Sequence, residues 1–370
     1  MKKPKGLYVH IPFCIKKCKY CDFISFCGCD EKFDLYINKL LEEAKEYKNE
    51  KIDTIFIGGG TPTILSPELL DKLILGLRRN FDISNDSEFS IEANPKTLTK
   101  EKLLILKKNG VNRLSIGVQS FSDDELTSIG RIHDAKSAYN TVCMAKDCGF
   151  SNINLDIMLS LPNQTEKTLI NTLKTAVKLE PTHISCYSLI LEEGTVLFRE
   201  YESGKYLYPD DEKDRGLYHM AVDFLRDNGY KRYEISNFSK EGFSSGHNLK
   251  YWNCDEYIGL GISAHSYIDG IRKYNVSSLE DYLKGNFHDG NILTLSEKDK
   301  ISEYIIMRLR LSDGISEDDF YERFGIKITD IFPDEIKKLT DSGLLIYDKE
   351  RYFLSDYGID ISNSVMCEFV

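Results

Sequence analysis

The sequence predicts an α/β protein built on a partial (β/α)6 barrel, followed by an α+β extension and a small C-terminal domain. Three observations predict it. Apolar, β-rich runs alternate with amphipathic helical stretches six times before residue 190, a rhythm that calls for a parallel sheet with right-handed crossovers. Residues of unusual chemistry (Cys14 to Cys21, Gly58 to Thr61, Glu92, Gln119 and Asp156) fall at or near the C-terminal ends of strands one to five, in order. A barrel gathers those ends at one mouth, whereas an open sheet joins only the strands at its switch point. Third, the rhythm breaks after about residue 200, which sets expected boundaries of 1–200, 201–290 and 291–370.

The first strand is Leu7 to Ile11, and an amphipathic helix follows around Phe33 to Tyr47. Ile52 to Ile57 is the second strand, closed by Gly58, Gly59 and Gly60. Ser66 as cap and Pro67 in the first helical position open the next helix. Glu88 to Glu92 reads as the third strand, and the helix after it, Thr99 to Asn109, stops at Gly110, the left-handed residue that ends many helices. Arg113 to Val118 is the fourth strand. Ser122 and Glu125 have the spacing of a capping box, and a second helix runs from Asp134 to Cys148, ending at Gly149. Asn152 to Leu161 is the fifth strand, Thr165 to Leu179 its helix, and His183 to Ile190 the sixth strand.

Beyond the barrel, a helix is expected near Asp211 to Asn228, then strands and loops through the aromatic, Gly-rich stretch Tyr230 to Tyr274. After Leu295 come a helix, a turn at Gly314, two further helices to Ser342 and a hairpin (Leu344 to Tyr347, Tyr352 to Leu354), the order of a winged helix. That tail carries 10 Lys+Arg against 17 Asp+Glu from Ser296 onward. This is the wrong sign for a DNA reader, so a structural or partner-facing role is expected.

The chain of 370 residues is 41% hydrophobic, enough for a large core. Its net charge of −11 argues against nucleic acid or an anionic lipid surface as main partner. The basic stretch Met1 to Gly6 is followed by no apolar h-region, and no apolar run approaches the ~18 residues of a membrane span. A cytoplasmic protein without stable membrane insertion is expected. Cytosol keeps thiols reduced, so the ten cysteines do not read as a disulfide framework. Cys14, Cys18, Cys21, Cys27 and Cys29 crowd into one short segment, which points to a metal or redox site. Cys143, Cys148, Cys186, Cys254 and Cys367 are scattered and read as small buried hydrophobes.

Cys14-Ile-Lys-Lys-Cys18-Lys-Tyr-Cys21 puts three thiolates on a short loop after the first strand. A [4Fe-4S] cube takes four ligands, so three cysteines leave one iron free for another donor. Two alternatives stay open on spacing alone: a structural zinc site with Cys27 or Cys29 as fourth thiolate, and a redox pair at Cys18 and Cys21. A second feature, Gly58-Gly-Gly-Thr-Pro62 at the end of strand two, exposes backbone groups beside that loop.

With Tyr8-Val-His-Ile-Pro-Phe13 leading into the cysteine loop, the two features together resemble the radical S-adenosylmethionine (SAM) family. Over nearly the whole chain the sequence is similar to the branch holding oxygen-independent coproporphyrinogen III dehydrogenases and the radical SAM haem chaperones. The resemblance implies a radical SAM barrel, a [4Fe-4S] cluster on Cys14, Cys18 and Cys21, and SAM on its open iron. It also implies a SAM pocket of Tyr8 beside the methionine end, Tyr20, Gly59, Gly60, Thr61, Glu92, Gln119, Arg131 and Asp156. The residue types suit that task, because acids can hold ribose hydroxyls or an amino group and an arginine can pair with a carboxylate.

Two features choose within the branch. The dehydrogenases carry a fourth Cys two residues after the third, where this chain has Phe23. His247-Asn-Leu-Lys-Tyr-Trp252 matches the HNxxYW signature of the chaperones and holds the only Trp. An exposed imidazole on that segment is the expected axial ligand for haem, with His265 as a second candidate. Cys27 and Cys29 are left without an assigned role. The resemblance thus implies a chaperone that binds haem and delivers it to apoproteins such as membrane respiratory enzymes, with a homodimer as the expected assembly. The alternative is a dehydrogenase that decarboxylates coproporphyrinogen III in porphyrin biosynthesis, so enzymatic activity is left undecided. A DNA-binding regulator is disfavoured by the acidic tail.

Overall fold

The computed structural model describes residues 3–208 and 210–370, so Met1 and Lys2 of the basic N-terminal stretch lie outside the described residues. Six strands form the expected parallel array: β1 (Lys5–Ile11), β2 (Lys51–Gly59), β3 (Asp82–Ala93), β4 (Arg113–Gln119), β5 (Asn152–Leu159) and β6 (His183–Ser188). Each is followed by helix: α1 (Phe33–Glu43), α2 (Pro67–Asn80), α3 (Lys100–Lys108), α4 (Asp123–Ser128) with α5 (Ala135–Asp147), α6 (Glu166–Lys178) and α7 (Val196–Glu202). Alternate strand residues such as Leu7, Val9 and Ile11 or Ile55 and Ile57 are buried against these helices.

The caps read from the sequence set most helix starts. Ser66, Thr99 and Asp134 accept the N–H groups of Leu69, Lys102 and Ser137, donors that a first turn leaves unpaired. The capping box expected at Ser122 is not formed. Glu125 turns inward, where its Oε2 accepts from Ser120 Oγ at 2.6 Å and Gln164 Nε2 at 3.2 Å.

The extension supplies both flanks of the sheet. After α8 (Asp211–Asp227), β7 (Lys231–Glu234) and β8 (Asn237–Ser239) continue the sheet from β6 in antiparallel sense. On the other side β9 (Tyr257–Leu260) runs parallel to β1, and β10 (His265–Ile268), β11 (Ile271–Asn275) and β12 (His288–Thr294) follow antiparallel. Among the described residues the outer strands β7 and β12 do not pair, so the barrel is partial.

The sequence reading of Tyr230 to Tyr274 as strands and loops misses α9 (Gly246–Trp252). Its first turn is held by β3: Glu88 accepts the backbone N–H groups of Gly246 at 2.9 Å and His247 at 3.0 Å. After α10 (Leu279–Lys284) and α11 (Glu297–Leu309), the tail forms a three-stranded sheet, β13 (Ile315–Ser316), β15 (Arg351–Leu354) and β14 (Leu345–Asp348), with short helices, as the winged-helix reading expects.

Candidate functional site

Backbone hydrogen bonds pin the cysteine loop from several sides. Cys14 N–H donates to Phe26 O, Lys19 N–H to Ile129 O beyond α4, and Leu197 N–H of α7 to Lys19 O. The glycine loop after β2 lies against it, with Gly60 N–H on Ile11 O and Thr61 N–H on Phe13 O. A Cβ at Gly60 would stand 2.7 Å from Phe13 O and 3.0 Å from Cys14 Sγ, so only glycine allows this approach. At Gly59, with φ +111°, a Cβ would meet the His10 ring at 2.6 Å.

Cys14, Cys18 and Cys21 line one cavity of about 180 Å³ with Tyr20, Gly59, Gly60, Thr61, Glu92, Gln119, Arg131 and Asp156. All the residues expected for the cluster and SAM meet there except Tyr8, while the haem-ligand candidates His247 and His265, and Cys27 and Cys29, lie outside it. Three soft thiol donors on one wall and a glycine cradle beside them fit an iron-sulfur cluster. Burial pushes the Cys21 thiol up to about 11 and raises that of Cys14, so a metal's charge is what would draw out their protons. Arg131 donates from Nη1 to Cys18 Sγ at 3.4 Å and from Nη2 to Gly117 O at 2.6 Å, while its buried Nε has no partner.

Two carboxyls line the same cavity, from β3 and β5 on either side of β4. Glu92 accepts from Gly59 N–H at 3.0 Å, and burial, reinforced by the charge of Asp156, pushes its carboxyl up to about 8. Asp156 accepts from Asn154 Nδ2 at 2.7 Å and is raised by burial. Gln119 takes a left-handed φ of 68°, a conformation disfavoured for its type, and its Oε1 accepts from Tyr187 O–H at 3.3 Å. Strain at a strand end beside a cavity is a common mark of function.

Tyr8 and His247 line a second cavity of about 330 Å³ deeper in the barrel, which shares Glu92, Ser115, Asp156 and Tyr187 with the first. The Tyr8 hydroxyl is hydrogen-bonded to His10 Nδ1 at 2.9 Å instead of standing over the cysteine loop. The expectation of an exposed His247 is corrected. This side chain is 1% exposed, with Nδ1 hydrogen-bonded to Thr54 Oγ1 at 3.0 Å and Nε2 to Tyr251 O–H at 2.9 Å. Its ring stacks on Phe56, and burial lowers its pKa to about 3. A ring committed at both nitrogens does not fit haem ligation.

Sequence reasoning missed Tyr187, Ser115, Gly117 and Asn94 on the cavity wall. Gly117 carried a signal, since a glycine inside a strand often marks close approach. Arg131 Nη2 would lie 3.0 Å from a Cβ there. Of the remaining cysteines, Cys29 and Cys186 are buried, but Cys27 and Cys367 are exposed, against the expectation for Cys367.

A six-stranded partial barrel with three cysteines, a glycine loop and strand-end acids converging on its mouth defines a radical SAM protein. Residues 8–176 match the Radical SAM superfamily and residues 295–361 the HemN C-terminal domain. The chain is 40% identical to the heme chaperone HemW of Bacillus subtilis and 36% identical to that of Lactococcus lactis, covering 99% and 100% of this chain and 99% and 98% of those proteins. It superposes on the Escherichia coli coproporphyrinogen III oxidase (HemN) with a TM-score of 0.87 at 24% identity, covering 100% of this chain and 90% of that one. The chain belongs to the HemW family of radical SAM proteins.

No helix among the described residues is long and apolar enough to cross a membrane.

Proposed function

We propose that this chain is a haem chaperone: it holds a [4Fe-4S] cluster on Cys14, Cys18 and Cys21, binds SAM in the adjoining mouth cavity, and carries haem to acceptor apoproteins. The observation that supports it most is the meeting of the cysteines, the glycine loop, Glu92, Arg131 and Asp156 on one cavity in a chain related end to end to heme chaperones. When bound on Cys14, Cys18 and Cys21, the cluster would supply one-electron chemistry to SAM held in the adjoining cavity. The chain's own part is placement. The unpartnered Arg131 Nε offers a donor to the SAM carboxylate, Glu92 and Asp156 offer acceptors, and Tyr20 and Gln119 close the wall. Tyr8 acts from the deeper cavity through the shared Glu92.

The dehydrogenase reading is disfavoured at Phe23, which is 64% exposed on the cavity rim where the resembling enzymes have a fourth Cys. Acceptors of the class of membrane respiratory enzymes, a cytoplasmic location, a homodimeric state and the domain boundaries 1–200, 201–290 and 291–370 complete the proposal. The acidic tail, 10 Lys+Arg against 17 Asp+Glu, speaks for a protein partner and against nucleic acid.

The test uses anaerobically reconstituted protein in two arms, one titrated with haem and one given coproporphyrinogen III, SAM and a reductant. A saturable Soret change with decarboxylation no greater than the enzyme-free control is the expected result. Robust decarboxylation without haem binding would establish the dehydrogenase instead.

A further inference from the structure

Haem binding, as proposed above, needs an iron ligand, and the seven histidines differ in what they leave free. His10, His183, His247 and His288 have both ring nitrogens hydrogen-bonded. His133 is 4% exposed and bonded to Val118 O, and His219 is bonded to Asp360 at 3.0 Å. His265 alone among the described histidines is exposed with no hydrogen bond at either nitrogen.

The strand register places it. Tyr8 lines the barrel interior, Gly6 lies two residues before it on the same face, and Gly6 pairs with Tyr257. Tyr257 pairs with Tyr267, and His265 lies two residues before Tyr267 on β10. Directly paired residues share a face, so His265 belongs to the interior-facing side of the flank that β9 to β12 add to the barrel. Because β9 runs parallel to β1 and β10 returns against it, β10 begins toward the end that carries the cysteine loop.

The surroundings suit a porphyrin. Tyr274, its partner across the strands, packs edge-on at 4.6 Å, an aromatic wall beside the imidazole. Arg272 stands on the same face over Tyr267, its guanidinium held in place by Glu303 at 2.7 Å. Desolvation and then the charge of Arg272 lower the His265 pKa, which keeps the ring neutral and its lone pair available.

We infer that His265, on the interior face of the β10–β11 flank, is the haem-iron ligand of this chain, and that His247 of the HNxxYW motif is a structural residue of the barrel floor. The inference rests on the haem-binding reading, and the experiment separates the two. Haem is titrated into cluster-reconstituted wild type, His265→Ala and His247→Gln, following the Soret band, with iron and sulfide content and thermal midpoint as controls. The expected result is binding by wild type and His247→Gln, and a shifted Soret band with affinity lowered by about tenfold or more in His265→Ala. Free imidazole should restore the wild-type spectrum to His265→Ala, which a merely structural role would not permit. If wild type binds no haem, the chaperone reading fails and the inference with it. If wild type binds and His265→Ala keeps its spectrum and affinity, the chaperone reading stands and the inference is overturned, whether or not His247→Gln binds.

Discussion

Arg131 donates a hydrogen bond to the sulfur of Cys18 at 3.4 Å, although 113 residues separate them. The same guanidinium is anchored on Gly117 O at 2.6 Å, which fixes its plane, and its buried Nε is left over. One side chain therefore touches a cluster ligand and offers a donor to whatever occupies the mouth. N–H bonds to cluster sulfurs stabilise the added electron and raise the reduction potential. Arg131→Met should retain iron and sulfide, move the cluster potential to more negative values, and weaken SAM by about tenfold to a hundredfold, the scale of a charge-assisted bond. Redox titration followed by electron paramagnetic resonance, with equilibrium SAM titration, checks both. An unchanged potential and affinity would remove Arg131 from the site.

The close approach at Gly60 makes a steric prediction. An added methyl would stand 2.7 Å from Phe13 O and 3.0 Å from Cys14 Sγ, against backbone and a cluster ligand that cannot both retreat. Gly60→Ala should lower iron and sulfide after reconstitution while leaving the far-ultraviolet circular dichroism intact. Gly216→Ala on α8 is the control, because nothing lies within 4 Å of a Cβ there and the helix gains about 0.5–1 kcal/mol. Full cluster content in Gly60→Ala would show that the loop yields.

How far each feature could be read ahead depends on what decides it. The six strands and the caps at Ser66, Thr99 and Asp134 are local, so periodicity and cap chemistry found them. The cysteines, the glycine loop, Glu92 and Asp156 were legible because strand ends converge in any barrel. Helix α9 was not legible, because Gly246, His247 and Asn248 are weak helix formers and, beside the local Ser245 cap, its first N–H groups are held by Glu88, 158 residues away in sequence. His247 looked exposed for that reason, and only the packed helix reveals that it is enclosed. Glu125 failed as a capping residue on the same ground, since Gln164 claims it from another loop.

His247 carries a prediction of its own. Its two bonds, to Thr54 and Tyr251, tie α9 to β2 across the barrel floor. His247→Ala leaves both hydroxyls buried beside a gap, which should cost about 1–3 kcal/mol per unsatisfied group. Urea midpoints of the haem-free protein measure it, and His247→Gln should recover part of the loss. Wild-type stability in His247→Ala would contradict a structural role.

The last prediction concerns Glu43, which is fully buried on α1 and accepts from Gly261 N–H at 2.9 Å, Asn275 Nδ2 at 2.6 Å and Tyr282 O–H at 2.5 Å. It thereby fastens the first crossover helix to the β9–β12 flank. Burial outweighs these bonds and pushes the carboxyl up to about 7 from its ordinary 4.5. The sign follows from proton counting: between those two values the folded chain binds more protons than the unfolded one, so stability falls as pH rises. Below the lower value both states are protonated and the effect vanishes; above about 7 the deficit is constant. The slope from this one group is at most about 1.4 kcal/mol per pH unit. His288 joins the same network through Asn275 and Glu46, so His288→Asn serves as the background. Urea midpoints from about pH 4.5 to 7, the span between the two values, should decline in that background and flatten when Glu43→Gln is added. An equal decline with and without Glu43 would assign the pH dependence to other groups and leave Glu43 ionised in the folded chain.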